Sequence, residues 1–492
     1  MPLHGAAGRA DAAARDGDLK ETAVRLTGSA LTAVGRVVPQ SPVSWLAARG
    51  RANALEVRRI DFADLSGWSF DPASGNLQHD SGRFFTVEGL TVQLDSGPFT
   101  HWAQPTVNQH DIGVLGILIK EFDGVLHCLM QAKMEPGNAT RTQLCPTVQA
   151  TRSNYTGVHG GSAVPYLKYF LEPGRGRVLV DVLQSEMGSW FHRKRNRNMV
   201  VEVTEDITPG QDFRWMTLGE VFRLLRVDDV VNMDVRTVLA CMPFVVPAAS
   251  GAASTTGEAD FRAALLRALD PAARPVHPTH EVISWLTHMK TVHGLVAERI
   301  PLAAVSGWKQ RTDAITHDEG KYFRILAVSV RATNREVSGW TQPLIAPTSE
   351  GVVAFLLKRI DGVLHALVQA RVEGGLTDGV ELGPTVQCSP RNYQDMPPSG
   401  MPPFLREVLD ADPKSIRYDV VLSDEGGRSY HSRARHLLIE VPEELSLSEL
   451  PGFRWVAIGQ LVELLRHSYY VNVQARSLVA ALHSLWATGA AA

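Results

Sequence analysis

An amide, a cation and a carboxylate alternate along one stretch of the sequence in a way that could line a ligand pocket. The stretch "FDGVLHCLMQAKMEPG" (122–137) contains Gln131, Lys133 and Glu135. Because side chains alternate faces along a strand, these three point the same way if the stretch is extended. Such a row could bind a polar, anionic ligand, but a solvated sheet face with a cross-strand ion pair has the same pattern. The strand by itself favours the solvated face.

A second word, "CPTVQATRSNY" (145–155), adds amide and phenol groups. It contains Gln149, Arg152, Asn154 and Tyr155. Its proline limits strand pairing, so the segment is expected to be a loop or a strand edge beside the first stretch. The polar groups could surround a sugar or a phosphate, or they could be buried structural groups with satisfied hydrogen bonds. The sequence favours neither interpretation over the other.

A third word, "HWAQP", places His101, Trp102 and Gln104 together. A Trp in such a setting is most often a core residue, and the proline marks a bend. In a binding site, Trp102 could stack on a base while Gln104 bonds to it. A second copy of this word has Gly339 in place of His101, so the fold does not require that histidine.

A run of cations follows in "FHRKRNRN" (191–198), which holds Arg193, Lys194, Arg195 and Arg197. Such runs usually form a solvated surface. A diphosphate clamp is the alternative, because Arg forks match phosphate oxygens.

All four words occur twice. "QARVEGG" repeats the first, "GPTVQCSPRNY" repeats the second 238 residues later, "GWTQP" repeats the third, and "YHSRARH" repeats the fourth with fewer cations. A unit of this length is not a solenoid repeat, so the chain contains a duplicated domain. The second copies predict a second pocket with the residues Trp340, Gln342, Gln369, Arg371, Glu373, Gln387, Asn392 and Tyr393.

The duplication sets the expected domain organisation. A chain of 492 residues exceeds what one hydrophobic core usually organises. An Ala/Ser/Gly-rich segment between the copies indicates an exposed linker. The expected parts are a poorly ordered N-terminal extension (1–40), a first repeat (41–245), a linker (246–279) and a second repeat (280–492). A short helix is expected within the linker, at 261–269.

Within each repeat the pattern predicts strands and helices together. Asp123-Gly124 separates two apolar runs and is repeated as Asp361-Gly362, and Asp-Gly is a strong signal for a two-residue hairpin. In "TLGEVFRLL", apolar residues have helical spacing and Thr217 with Glu220 can form a capping box. Each repeat is therefore expected to be an α+β domain.

The composition and the missing motifs argue against several classes of protein. The chain is 44% hydrophobic and 21% charged with a net charge of −3, which gives no reason to expect binding to nucleic acid or to a membrane surface. Four dispersed cysteines and an N-terminus without an apolar segment predict a cytoplasmic protein. There is no GxxxxGK[ST], HExxH or GxSxG, no GxGxxG after a strand and no REx2EE helix, so no metal or cofactor is expected.

Taken together, the words resemble the NDP-hexose 2,3-dehydratases of deoxysugar biosynthesis. The resemblance covers the chain from about residue 41, and the words that carry it are "HWAQP", "QAKMEPGN", "CPTVQATRSNY", "WFHRKRNRNMVVEV", "QARVEGG", "GPTVQCSPRNY" and "SDEGGRSYH". It implies a tandem duplication of a Nudix-like module that lacks the hydrolase box. It also implies elimination of water across C2 and C3 of dTDP-4-keto-6-deoxyglucose, an early step toward the 2,6-dideoxysugars of secondary metabolites such as antibiotics.

The implied reaction needs a base near C3, a donor to the C4 oxyanion and an acid at O2. On the matching motifs, Glu135 is the expected base, Lys133 or Gln149 the oxyanion donor, and Tyr155 the acid. Because "VEGG" (372–375) lacks a proline like that of "MEPG", the working site is expected in the first repeat. The expected binding residues there are His101, Gln131 and Asn154, with Trp102 and Gln104 on the thymine, and Arg152 with Arg193 or Arg195 on the diphosphate.

Two other functions have weaker support. A non-catalytic scaffold would bind dTDP ligands without changing them. A Mg²⁺-dependent diphosphate hydrolase rests on fold analogy alone. The family resemblance also implies a homodimer and a downstream 3-ketoreductase that consumes the reactive diketone.

Overall fold

The structure is a computed structural model, and it describes residues 20–35, 37, 40–95, 99–140, 142–155, 163–245, 258–333, 337–442 and 449–487. Two seven-stranded sheets and two smaller sheets, together with helices, make the fold mixed α/β. The two larger sheets have equivalent strand orders in the two halves of the chain. The predicted duplication is therefore confirmed.

In the first repeat, the strands are β1 (Leu55–Ile60), β2 (Trp68–Phe70), β3 (Leu77–His79), β4 (Thr86–Gln93), β5 (His101–Asn108), β6 (Gly113–Phe122), β7 (Val125–Lys133), β8 (Gln143–Cys145), β9 (Val148–Ala150), β10 (Arg177–Ser185), β11 (Phe191–His192), β12 (Arg195–Glu202) and β13 (Phe213–Thr217). In the second repeat, they are β14 (Val296–Ile300), β15 (Trp308–Gln310), β16 (Ala314–His317), β17 (Phe323–Ala332), β18 (Gly339–Pro347), β19 (Gly351–Ile360), β20 (Val363–Val372), β21 (Val380–Gly383), β22 (Val386–Cys388), β23 (Ile416–Ser423), β24 (Arg433–Glu440) and β25 (Phe453–Ala457).

The helices are α1 (20–31), α2 (Pro42–Ala52), α3 (Arg152–Tyr155), α4 (Lys168–Leu171), α5 (Leu218–Leu224), α6 (Met233–Ala240), α7 (Glu258–Ala268), α8 (Thr279–Val292), α9 (Leu405–Leu409), α10 (Ile458–Leu464) and α11 (Val473–Ala487). The helix predicted at 261–269 is α7. Among the residues that the structure describes, no helix is long and apolar enough to cross a bilayer.

The larger sheet of the first repeat has the strand order β10-β12-β6-β7-β13, with β8 on β7 and β9 on β6. All of its pairs are antiparallel except β6 with β12. The second repeat has the equivalent order β23-β24-β19-β20-β25, with β21 on β20 and β22 on β19. The larger sheet of the first repeat carries Lys133 on β7 and Gln149 on β9, whereas "HWAQP" and "GWTQP" lie on β5 and β18 of the smaller sheets.

The predicted hairpin turns and the predicted helix cap are confirmed. Asp123 and Gly124 have φ angles of 49° and 77°, and Asp361 and Gly362 have 50° and 76°. Positive φ at both central residues is the type I′ geometry, which matches the twist of the strands it joins. The Thr217–Glu220 capping box at the start of α5 is also present.

The N-terminal helix α1 corrects one expectation. Leu26 has no exposed surface and joins the core cluster that includes residues of α5 and α11. The prediction that the first 40 residues are poorly ordered is therefore wrong for this helix. Residues 1–19, 36 and 38–39 lie outside the described residues, as do residues 246–257 of the expected linker.

The two smaller sheets exchange their first strands between the repeats. Strand β1 of the first repeat pairs with β17 of the second, and β14 of the second repeat pairs with β4 of the first. Each small sheet is thus completed by the other copy. The repeats are sequence units, but they share their sheets and do not form two separate folding bodies.

Two buried arginines tie the repeats together in the same reciprocal way. Arg236 in α6 donates through Nη2 to the carbonyl oxygen of Ser423 at 2.8 Å. Arg476 in α11 donates through Nη2 to the carbonyl oxygen of Ser185 at 2.5 Å. Because each guanidinium is fully enclosed, these hydrogen bonds are needed to offset its desolvation.

Candidate active site

Three of the predicted catalytic residues form one hydrogen-bonded cluster at the end of β7. The Lys133 Nζ lies 3.3 Å from Glu135 Oε1 and donates to Gln149 Oε1 at 3.0 Å. Gln149 Nε2 donates in turn to Glu135 Oε1 at 3.1 Å. Glu135 is only 3% exposed, and Asn232 Nδ2 lies 3.3 Å from its second oxygen. An ammonium and two amides therefore surround this buried carboxylate.

The fold explains why these residues meet. Lys133 is the last residue of β7, and Gln149 lies on the short strand β9 that pairs with β6. Asn232 is the N-cap of α6, where its side chain accepts a hydrogen bond from the backbone N–H of Asp234 at 2.7 Å. A strand end, an edge strand and a helix cap thus converge on Glu135.

A cavity of about 660 Å³ opens beside this cluster. Lys133, Glu135 and Gln149 of the first repeat line it, and Trp340 and Gln342 of the second repeat line it as well. Its size is within the range usual for small-molecule sites. The cavity is therefore composite, because the larger sheet of one repeat and the smaller sheet of the other both contribute walls.

The "GWTQP" word, not "HWAQP", lies at the cavity that contains Glu135. Trp340 Nε1 donates to Gln342 Oε1 at 2.7 Å, and Gln342 Nε2 donates to the carbonyl oxygen of Gly427 at 2.7 Å. Trp102 and Gln104 were predicted to share the site of Glu135, but the structure does not bring them to the lining of this cavity. These two residues lie on β5, whereas the same small sheet reaches the cavity through Trp68 of β2 and His79 of β3.

The "HWAQP" residues make the equivalent contacts in the second repeat's half of the molecule. Trp102 Nε1 donates to Gln104 Oε1 at 3.0 Å, and Gln104 Nε2 donates to the carbonyl oxygen of Ser189 at 2.6 Å. Val92, the register partner of Trp102 on β4, contacts Gly374 of the second repeat. His101 is exposed and faces Thr91 Oγ1 at 3.3 Å.

The cavity also holds charged residues that the sequence interpretation did not assign to the site. Glu186, Lys194, Asp234 and Glu425 all line it. Asn196 Nδ2 donates to Glu186 Oε1 at 2.7 Å, and Lys194 Nζ donates to the carbonyl oxygen of Asp111. Within the described ranges, no three His, Cys, Asp or Glu side chains are grouped as a metal site requires.

Burial perturbs the protonation of all four groups. It raises the pKa of Glu425 to about 7, and the negative charge of Glu135 adds to that rise. Burial also raises the pKa of Asp234 well above its usual range and the pKa of Glu186 above its own. It lowers the pKa of Lys194 to about 8, although the carboxylate of Glu186 opposes that change. Such perturbed groups in a cleft are typical of functional sites.

A comparison of the two copies could have found three of these residues. Lys194, Asp234 and Glu425 correspond to Ser432, Gln474 and Met187 in the other copy. The backbone supports two of these equivalences, because Glu186 N–H donates to Lys194 O at 2.9 Å and Asp424 N–H donates to Ser432 O at 3.1 Å. A charge present in one copy only is not required by the shared fold.

Four other residues predicted for the first repeat are not brought to the cavity. Gln131, Arg152, Arg193 and Arg195 are not among its lining residues. Arg152 and Arg193 are exposed, and the backbone N–H of Arg193 donates to Gly375 O at 2.6 Å. The backbones of Asn154 and Tyr155 are helical in α3, but their side chains lie outside the described residues.

The second repeat contains an equivalent cluster. Arg371 Nε donates to Glu373 Oε1 at 2.7 Å, and Gln387 Nε2 donates to the same oxygen at 3.2 Å. Next to it, a Cβ added to Gly374 would lie 2.5 Å from Val92 Cγ2, so this position has no room for a side chain. The first repeat has Pro136 here, and Pro136 lines the cavity.

The three remaining residues predicted for the second pocket have structural contacts. Gln369 lies opposite Phe453 and Gly383 in the sheet register. Asn392 Oδ1 accepts a hydrogen bond from the backbone N–H of Tyr322 at 3.1 Å. Burial raises the pKa of Tyr393 above its ordinary value. None of the three lines the cavity that contains Glu135.

The family profile described as NDP-hexose 2,3-dehydratase matches residues 40–242 and 279–482. The chain belongs to the NDP-hexose 2,3-dehydratase family. The resemblance found in the sequence is confirmed. The two matched segments of the family correspond to the two repeats, and both clusters described above lie within them.

Three curated relatives of this NDP-hexose 2,3-dehydratase family member carry the name dTDP-4-dehydro-6-deoxy-alpha-D-glucopyranose 2,3-dehydratase. The one from Saccharopolyspora spinosa is 53% identical over 94% of this chain and 96% of its own length. Those from Amycolatopsis orientalis and Streptomyces violaceoruber are 47% and 46% identical over 96% and 90% of this chain, and each is covered over 96% of its length. The family is one of hydro-lyases, so the chain is related to enzymes over nearly its whole length.

Proposed function

We propose that this chain removes water across C2 and C3 of dTDP-4-keto-6-deoxyglucose to give a 3,4-diketo-2,6-dideoxy sugar. This would be an early step in the biosynthesis of deoxysugars of secondary metabolites. The observation that carries the proposal is a buried carboxylate, Glu135, held beside an ammonium group at the wall of a cavity. The names of the three relatives specify the substrate.

Glu135 acts as the base that removes the C3 proton. The C4 ketone of the substrate acidifies that proton, so a carboxylate within reach can abstract it. Lys133, Gln149 and Asn232 face the oxygens of Glu135 with N–H donors only. Their contacts fix the carboxylate at the wall of the cavity before the substrate arrives.

Lys133 is the better of the two predicted donors to the C4 oxyanion. An ammonium has three N–H donors, and two of them face Gln149 and Glu135. The third can bond to the oxygen as its charge develops. The oxygen of the Gln149 amide accepts from Lys133 and its nitrogen donates to Glu135, so Gln149 orients both partners.

The enolate then expels the hydroxyl at C2, and the resulting enol tautomerises to the diketone. Departure of the hydroxyl needs an acid, for which the family resemblance suggests Tyr155. The nucleotide end of the substrate meets the wall made by the second repeat. There Trp340 can stack on the thymine, and Arg331 and Arg428, which line the same wall, can bond to the diphosphate.

Several finer predictions belong to the same proposal. Each repeat is a Nudix-like module without the hydrolase box, and its larger sheet contains a single parallel pair, β6 with β12 or β19 with β24. The protein is a homodimer in the cytoplasm. A 3-ketoreductase acts next, because a 3,4-diketone is reactive and must be consumed. No cofactor or metal takes part.

The test is an NMR experiment in D₂O. The purified protein is mixed with dTDP-4-keto-6-deoxyglucose, and a 3-ketoreductase with NADPH traps the product. We expect a 2-deoxy sugar that carries deuterium at C2, because tautomerisation takes that proton from solvent. Unchanged substrate together with tight dTDP binding by calorimetry would contradict the proposal and support the scaffold function. Release of a nucleoside monophosphate in the presence of Mg²⁺ would support the hydrolase.

A further inference from the structure

The wall that the second repeat contributes to the cavity carries a carboxylic acid, Glu425. It lies just after β23, where its Oε1 accepts a hydrogen bond from the backbone N–H of Gly427 at 2.8 Å. It is half-buried and lines the cavity that Glu135 lines from the first repeat. The two carboxyl groups therefore belong to different repeats and line one cavity.

Two backbone contacts fix the loop of Glu425 against the first repeat. Gly426 O accepts a hydrogen bond from the backbone N–H of Gly137 at 2.7 Å, directly after the turn that carries Glu135. A Cβ on Gly137 would lie 1.6 Å from Ser429 O, so the approach requires glycine. The loop of Glu425 is thus held at a fixed distance from the Glu135 turn.

The fold itself does not need a carboxyl group at this position. Met187 is the equivalent residue of the first repeat, and its loop makes the same two contacts. There Gly188 O accepts a hydrogen bond from Gly375 N–H at 2.8 Å, and a Cβ on Gly375 would lie 2.0 Å from Phe191 O. An apolar side chain therefore supports the same loop, which indicates that Glu425 is present for its chemistry.

Glu425 and Glu135 have different surroundings within the cavity. Glu135 is surrounded by an ammonium and two amide donors. Burial and the nearby charges of Glu135 and Glu186 raise the pKa of Glu425 to about 7, although Arg428 and Lys133 oppose that rise. A carboxyl group whose pKa lies near the working pH can hold a proton and donate it as a general acid.

We propose that Glu425 donates the proton to the departing C2 hydroxyl, so that the base comes from the first repeat and the acid from the second. This inference rests on the proposed dehydratase function. It replaces Tyr155 as the acid in that reaction.

The step balances as follows. Glu135 takes the C3 proton, and the C–H electron pair becomes the C3–C4 double bond of the enolate. When the C4 carbonyl re-forms, that pair moves to C2–C3, and the C2–O bond breaks with its electrons on oxygen. Glu425 protonates this oxygen, and water leaves. The enol then takes a proton at C2 from Glu135, after exchange with solvent, and returns its O3 proton to Glu425.

The decisive test compares two leaving groups. Glu425→Gln and wild type are each given dTDP-4-keto-6-deoxyglucose and its 2-deoxy-2-fluoro analogue. Fluoride leaves as an anion and needs no proton, so it bypasses the acid but not the base. We expect Glu425→Gln to lose ~10²- to 10⁴-fold in turnover of the hydroxyl substrate. Fluoride release, followed with an ion-selective electrode, should stay close to that of wild type.

Glu425→Met provides the folding control, because Met187 shows that this loop accepts methionine. It should have the same Tm as wild type and the same selective loss. Tyr155→Phe is assayed beside it. Equal losses with both substrates, no loss in Glu425→Gln, or a selective loss in Tyr155→Phe instead would each overturn the proposal. If wild type eliminates neither water nor fluoride, the dehydratase function itself is wrong, and that result is distinct from the others.

Discussion

In the first repeat Glu135 faces a lysine, whereas in the second repeat Glu373 faces an arginine. The Lys133 Nζ to Glu135 Oε1 distance is 3.3 Å, and the Arg371 Nε to Glu373 Oε1 distance is 2.7 Å. An arginine hydrogen-bonded to a carboxylate forms a strong, directional pair. A lysine at a longer distance keeps donors for a ligand. One backbone arrangement therefore supports a closed ion pair in one copy and a pair that faces a cavity in the other.

The surroundings of the two clusters differ in the same way, because only the cluster of the first repeat faces the cavity. Pro136 lines the cavity in the first repeat, whereas the equivalent Gly374 packs directly against Val92. Asp234 at the base of the cavity corresponds to Gln474, whose amide donates to Asp424 Oδ1 at 2.9 Å. The comparison teaches that duplication preserved the hydrogen-bonding frame, while the charges were concentrated around one of the two carboxylates.

The strongest test of this comparison removes each carboxylate in turn. Glu135→Gln should lower kcat by ~10²- to 10⁴-fold, because the base is lost while the side-chain volume is kept. Glu373→Gln should leave kcat almost unchanged, because Glu373 does not line the cavity. Steady-state kinetics on both variants, corrected for the folded fraction by circular dichroism, measures the difference. Similar losses in the two variants would mean that the second cluster also works in catalysis.

The placement of the two Trp-containing motifs predicts a smaller effect, on KM. Trp340→Ala should raise KM by about 5- to 150-fold, which corresponds to roughly 1–3 kcal/mol for one base stacked on an aromatic ring. Trp102→Ala should leave KM unchanged, although both residues hydrogen-bond a glutamine in the same way. If Trp102→Ala raised KM more than Trp340→Ala did, the smaller sheet of the second repeat would not be the one that binds the nucleotide at the site of Glu135.

The smallest expected effect concerns stability and compares Glu381 with its equivalent, Gln143. Burial raises the pKa of Glu381 to about 7, and Ser185 Oγ donates to it at 2.6 Å. Because the folded state binds this proton more tightly than the unfolded state does, the stabilisation is complete below about pH 4.5 and is lost as the pH rises toward 7. Glu381→Gln removes that loss.

Urea unfolding at pH 5 and pH 8 measures this effect. Between these two pH values, the wild-type free energy of unfolding should fall by roughly 1–3 kcal/mol more than that of Glu381→Gln. Gln143→Glu is the matched variant, because it places the same acid in the first repeat, and it should gain a pH-dependent loss of its own. Parallel pH dependence in all three proteins would show that Glu381 does not titrate in this interval.

Much of the fold could be predicted because its signals are local. Asp123-Gly124 and the Thr217–Glu220 cap each depend on a few neighbouring residues, and both are present. The exchange of β1 and β14 could not be predicted. The two strands have similar patterns, "LEVRRI" and "VAERI", so either could complete either small sheet, and the choice depends on contacts far apart in sequence.

The residues of the candidate site can also be divided into those that the sequence could predict and those that it could not. Lys133, Glu135 and Gln149 come together as predicted because strand alternation and an adjacent repeated word place them side by side. Trp102 was predicted beside Glu135 but does not line that cavity, because the residues of "HWAQP" do not indicate which copy they will contact. Lys194 and Glu425 lie on segments far from Glu135 in the sequence, and neither belongs to a sequence motif that contains Glu135. Only the difference between copies marks them.

The exchanged strands also set the order of events during synthesis. Strand β4 ends at Gln93, and its partner β14 begins at Val296, about 200 residues later. At ~5–20 residues per second, the ribosome leaves that edge of the first small sheet unpaired for on the order of 10 to 40 seconds. An open strand edge can pair with another nascent chain. The edge of β4, like β1 that waits for β17, is therefore a place where neighbouring nascent chains would cross-pair until the second half of the chain emerges.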